Sequence, residues 1–219
     1  GISTAWVHLS EGDLDGVETW LDRAAAALPH TPAGQRQELT AMSEIYRAAV
    51  AQARGDVAGT VGHAGMALQL AGEGDHRTRA AASGFLGLAA WASGDLGVAG
   101  ATFGDAVRSM RAAGDVADAL GATVVLADMW SARGRPDEAR RLCEQALATP
   151  DGRPAPVLST TGDVRAALAA ALRELGDLDG AEAHLQVAAE LGEPASLPEN
   201  RHRWYADAAD VARARGGLE

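Results

Sequence analysis

The sequence predicts an all-α fold, a right-handed α-solenoid of five helical hairpins and part of a sixth. Three observations predict it. A Gly-Asp-like mark recurs at Gly12-Asp13, Gly55-Asp56, Gly94-Asp95, Gly134-Arg135-Pro136 and Gly176-Asp177, and Arg215-Gly216 closes the series; these glycines stand 43, 39, 40, 42 and 40 residues apart. A period of that size marks a stacked array of helical units. The marks are flanked by alanine-rich stretches with apolar residues at helical spacing, such as Leu96, Ala99, Phe103, Ala106 and Met110. No stretch alternates apolar and polar residues convincingly, so no sheet is expected.

Each element follows from the punctuation. Glycine just past a helix end takes the left-handed conformation that stops the helix. The next aspartate caps the following helix by accepting from its free N–H groups. In the fourth unit Pro136 stands near the first helical turn, where its missing N–H is no loss. Residues 1–11 are then the back half of a first helix. Helices follow over 14–28, 39–54, 57–70, 77–93, 96–110, 116–133, 136–147, 164–175, 178–191 and 201–215. Turn formers gather in the breaks at 29–35, 150–156 and 192–198. The period runs through these breaks, so residues 1–219 are expected to form one repeat domain. Neither end carries the polar capping helix that solenoids usually need, which predicts a fragment of a longer protein.

Composition removes most other functions. The formal net charge is −11 over 219 residues, a balance that repels phosphate and argues against direct nucleic-acid contact. No apolar run approaches the ~20 residues of a membrane span, and nothing at the N-terminus reads as a signal peptide. All 19 basic residues are arginine. Without lysine the segment holds neither a standard P-loop nor a Schiff-base site. The single cysteine, Cys143, excludes an internal disulfide framework, and its position predicts a buried small hydrophobe rather than a reactive thiol. The histidines are scattered, with no pair at helical ligand spacing, so no metal or other cofactor is implied. The paired acids Asp13/Asp15 and Asp177/Asp179 sit at helix starts and suit capping better than acid–base chemistry. Catalysis is not expected.

The hairpins resemble the tetratricopeptide pattern. Leu86-Gly87 precedes Gly94-Asp95, with Ala99, Phe103 and Ala106 after it. The fourth unit supplies Leu126, Trp130, Gly134, Ala139 and Ala146, and the fifth Leu168, Gly176, Ala181, Leu185 and Ala188. Small residues are needed where the helices of a hairpin cross closely; large ones fill the space between hairpins. The period of about 40 exceeds the roughly 34 of the standard motif. Longer units with this turn resemble the repeat region of large LuxR-type ATP-dependent bacterial regulators, typified by the activator of the maltose regulon. "AWVHLSEGDLDGVETWLDRA" is similar to the opening of that region and "FLGLAAWASGDLGVAGATFGDAV" to its middle repeats. The resemblance implies a cytoplasmic sensor arm between an ATPase module and a helix-turn-helix module, neither of them in this chain. It receives a small-molecule inducer or a protein partner. A plain interaction scaffold attached to another signalling protein or enzyme is the alternative.

In such arrays the first helix of each hairpin lines the concave face. By offset from the turn, that face takes Trp6 and Leu9; Ile45, Ala49 and Gln52, with Tyr46 beside them; Leu88 and Trp91; Asp128 and Ser131; Arg173; and Arg203 and Asp210. Asp128 interrupts the apolar run "VVLADMW" and needs a partner or water. A solvated position or an arginine pair answers that need better than a ligand contact. Trp91 ends a helix with no charge after Arg79, and either packs in the core or floors an apolar groove. Trp20, Trp130 and Trp204 are expected in packing between hairpins.

Overall fold

The computed structural model describes residues 2–148, 160–192, 196 and 200–216, without the side chains of Ile2, Ser3, Trp6, Ala33 and Arg201. The described residues are helical, and the turn marks fold as their chemistry requires. The glycines of the marks all take positive φ, from +68° at Gly134 to +84° at Gly176. Asp13, Asp56, Asp95 and Asp177 accept side-chain bonds from the N–H of Gly16, Gly59, Val98 and Gly180 at 3.0, 2.9, 3.0 and 2.9 Å. The fold is the α-solenoid that the repeat predicts, and the chain divides into two compact units, Gly1–Gly114 and Asp115–Glu219.

The first unit holds α1 (Ile2–Ser10), α2 (Leu14–Ala27), a 3-10 turn (Leu28–His30), α3 (Ala33–Ala53), α4 (Val57–Leu70), α5 (His76–Ala92) and α6 (Leu96–Ala113). These form three hairpins, α1/α2, α3/α4 and α5/α6. The first helices also pack on one another, α1 on α3 and α3 on α5. One cluster centres on Ala5, Val17, Leu21 and Val50, with Leu9, Leu14, Trp20 and Tyr46 packed against it. At the α5/α6 crossing a Cβ on Gly87 would lie 2.9 Å from the Phe103 side chain and 3.1 Å from its backbone nitrogen. Only glycine lets the two helices approach so closely there.

The second unit holds α7 (Val116–Ala132), α8 (Pro136–Leu147), α9 (Thr161–Glu174), α10 (Leu178–Leu191) and α11 (Arg201–Ala214). Here α7 packs on α9 and α9 on α11, with α8 and α10 alongside. Its core joins Leu120, Val124, Cys143, Val164, Leu168 and Leu185, with Trp130 and Trp204 packed against it. Trp204 also donates its indole N–H to the Leu185 carbonyl at 2.9 Å, tying α11 to α10.

Three boundaries differ from the sequence expectation. The predicted break at 29–35 is shorter, because α3 begins at Ala33. Pro32 is its N-cap residue, with φ −53°, so the prolyl ring opens the helix instead of ending it. α6 continues to Ala113, where Gly114 at φ +80° stops it. α9 begins at Thr161, ahead of Val164. The predicted break at 150–156 lies outside the described residues, as does most of that at 192–198.

Candidate functional site

Four of the residues expected on the concave face meet in the second unit. Asp128 is on α7, Arg173 in the last turn of α9, and Arg203 and Asp210 on α11. Arg203 Nη1 reaches Asp128 Oδ2 at 2.7 Å. Since α9 packs between α7 and α11, this ion pair spans the face of α9. It supplies the arginine partner that an aspartate in an apolar run requires. Asp210 is held by Arg213, one turn on, at 2.7 Å. Arg173 differs from both. Its nearest acid oxygen is that of its own neighbour, Glu174, at 4.0 Å. Such a separation is an ion pair without a hydrogen bond. Among the described residues, the buried Nε atoms of Arg165, Arg173 and Arg203 meet no acceptor.

Asp207 joins this group and was not among the expected residues. It stands four residues after Arg203 and three before Asp210, the spacing that shares a helix face. Burial first, helped by the charges of Asp128 and Asp210, pushes its carboxyl up to about 6 against the pull of Arg173 and Arg203. The face therefore combines two guanidiniums with three carboxyls, one of which is poised to hold a proton. Ser131 is half-buried one turn on from Asp128.

The remaining candidates belong to the first unit. Tyr46 is half-buried against the Val17–Leu21–Val50 cluster, and burial raises its phenol. Gln52, Leu88 and Trp91 are half-buried on α3 and α5. Trp6 lies on α1, and its side chain is outside the described residues. Trp20 donates to His8 Nε2 at 3.0 Å, while His8 Nδ1 meets Asp13 Oδ2 at 2.9 Å. Glu44 takes Arg47 at 2.9 Å and His63 at 2.7 Å.

Arginines of the turns form a further recurring pattern that the sequence analysis did not identify. Arg54, just before Gly55, bonds Asp15 at 2.9 Å and Glu18 at 2.7 Å on α2. Arg215, just before Gly216, bonds Asp179 and forms an ion pair at 3.1 Å with Glu182 on α10. The repeated signal was the pairing of "LDGVE" and "LDGAE" with an Arg-Gly one period later.

Chemistry beyond binding has little material. Cys143 is fully buried, and desolvation, with the charges of Asp128 and Glu144, pushes its thiol up to about 12. That thiol is not a nucleophile at neutral pH. Among the described residues no group of three or more His, Cys, Asp or Glu could hold a metal ion, and no helix is long and apolar enough to cross a membrane. A cavity of about 280 Å³ opens between α9, α10 and α11, walled by Ala166, Ala188, Ala189, Trp204 and Tyr205.

Comparison with known proteins agrees with this architecture. No curated protein matches by sequence. Among solved structures, the putative kinesin light chain TPR-like repeats of Podosopora anserina superpose with a TM-score of 0.66 at 19% identity, over 87% of this chain and 92% of that one. BtubC (BKLC) of P. vanneervenii gives 0.69 at 18% identity, over 85% and 76%. A thermophilic TPR protein of Thermus thermophilus gives 0.52 at 19% identity, over 98% and 96%. At such identities these likenesses speak for the fold. The family itself is given by residues 41–219, which match the model of the MalT-like TPR region. This chain therefore belongs to the MalT-like TPR family.

Proposed function

We propose that this repeat scaffold is the sensing region of a LuxR-type ATP-dependent transcriptional regulator. The observation that carries the reading is the family match over 41–219. The polar group gathered on α7, α9 and α11 supports it. An inducer or protein partner seated on the first-helix face favours one of two conformational states. The bound state releases an ATPase module, and a helix-turn-helix module contacts DNA; both lie outside this chain. A ligand shifts such an equilibrium only by its differential affinity for the two states. The chain's own task is binding, without catalysis, in the cytoplasm.

Sequencing the genomic DNA on both sides tests this. A Gly-x-x-x-x-Gly-Lys-Ser/Thr motif upstream and a helix-turn-helix downstream are expected; a gene with neither would sink the proposal. The second reading is a plain protein-interaction scaffold, favoured by the fold likeness to kinesin-light-chain-type repeats. A thermal-shift screen separates the two. Stabilisation by a small-molecule inducer supports sensing, and stabilisation by protein partners alone supports the scaffold.

A further inference from the structure

We propose that the face formed by α7, α9 and α11 binds a small organic acid, whose carboxylate is gripped by Arg173 and by Arg203 on release from Asp128. This rests on the reading of the first-helix face as the binding face. Arg173 carries the argument. Its side chain is only 30% exposed, its closest carboxylate oxygen is 4.0 Å away, and its buried Nε meets no acceptor. A guanidinium partly withdrawn from water without a hydrogen-bonded carboxylate is unfavourable. Its planar fork matches a carboxylate in two parallel bonds. Arg203 is paired with Asp128, closest from Nη1, and its own Nε is likewise buried without an acceptor. A compact acid suits this face better than a chain of acidic residues, because only one guanidinium here lacks a hydrogen-bonded or close carboxylate.

Asp207 makes the site sensitive to pH. It faces Asp128 from α7, Arg173 from α9, and Arg203 and Asp210 along its own helix. Asp210 is already held by Arg213. Protonated, Asp207 leaves Arg173 positive for an incoming carboxylate. Ionised, it competes with that carboxylate for the same guanidinium. Binding of the acid is therefore coupled to uptake of one proton by Asp207.

The test is an NMR titration of the whole chain with pyruvate, which is fully ionised across the range, at about pH 5.5 and about pH 7.5. Saturable shifts on α9 and α11 are expected, with affinity about 25-fold higher at the lower pH, the ratio of protonated Asp207 at the two values. Asp207→Asn should bind at the higher pH as tightly as the unaltered chain does at the lower. Arg173→Gln should lose binding with its helical circular dichroism intact; if it unfolds, Arg173→Lys, which keeps the charge without the fork, should bind more weakly. Pyruvamide should not bind. The proposal is overturned if Asp207→Asn shows no saturable pyruvate binding, or if Arg173→Gln or Arg173→Lys binds undiminished. It is equally overturned if sulfate binds as well as pyruvate, or if a hexaglutamate peptide binds where pyruvate does not. A chain that fails here but is still stabilised by an inducer in the thermal-shift screen keeps the sensing role and loses only the acid.

Discussion

His63 stands eight residues after its turn glycine, Gly55, and meets Glu44, eleven residues before it; His184 and Arg165 occupy the same two offsets around Gly176. Both pairs are within hydrogen-bonding distance. His63 Nδ1 lies 2.7 Å from Glu44 Oε2, and Arg165 Nη1 donates to His184 Nδ1 at 3.2 Å. The electrostatics are opposed. In the second hairpin an acid stands between a histidine and Arg47. In the fifth, two groups that can both be positive share the place, so His184 must be neutral to accept. Burial first, and Arg165 second, hold its imidazole below the ordinary histidine value. The hairpin dictates which side chains face each other; it leaves their charge free.

Four substitutions test how far equal offsets carry equal interactions, two at that contrast and two at the turn arginines. Glu44→Ala should have the largest effect. Its side chain is only 12% exposed and holds both Arg47 and His63, so removal should cost about 2 kcal/mol. Thermal denaturation measures this, and an unchanged melting temperature would mean that the Glu44 contacts do not stabilise the second hairpin. Next is Arg165→Glu, which gives the fifth hairpin the partner of the second. His184, depressed in the native chain, contributes stability that is present above the unfolded histidine pKa and lost as pH falls through its lowered native value. With glutamate opposite, its native pKa should rise above the unfolded value. Its contribution would then be present at low pH and lost as pH rises. Imidazole NMR reads the reversal directly. The change in stability should stay below about 1 kcal/mol, because the pair is half-exposed and screened. If His184 still titrates below the ordinary value, burial alone sets it. The smallest effects belong to Arg54→Ala and Arg215→Ala. These two turn arginines grip equivalent acids, so their small losses in melting temperature should match and should vanish at high salt. Unequal losses would break the equivalence of the two ends.

Much of the fold was legible because its signals are local. A glycine at positive φ followed by a capping aspartate lies within a few residues, and the caps at Asp13, Asp56, Asp95 and Asp177 formed as the sequence suggests. The start of α3 was less legible, because Pro32 suits a loop and the residue before a helix equally well. Gly114-Asp115 repeats the Gly-Asp dipeptide between hairpins, outside the regular register, and Asp115 makes no side-chain cap. On the candidate face, Asp128, Arg173, Arg203 and Asp210 followed from the period, since equal offsets place residues side by side on successive first helices. Asp207 carried the same helical spacing from Arg203, but its property comes from burial, which depends on how α9 and α11 pack. The Arg54 and Arg215 contacts were hidden for a related reason. They join residues a full period apart, and charge alone does not say which of many acids an arginine will meet.

The ion pair of Arg203 with Asp128 also has a mechanical meaning. In a stack of hairpins load passes from each unit to its neighbour, so the array peels one hairpin at a time. A link that skips α9 acts as a strap. Pulled from α11, the strap loads α7 directly, and the hairpin between them is carried along instead of yielding first. Within the second unit, a pulling measurement should therefore find α11 and α7 giving way closer together in the native chain than in Asp128→Asn.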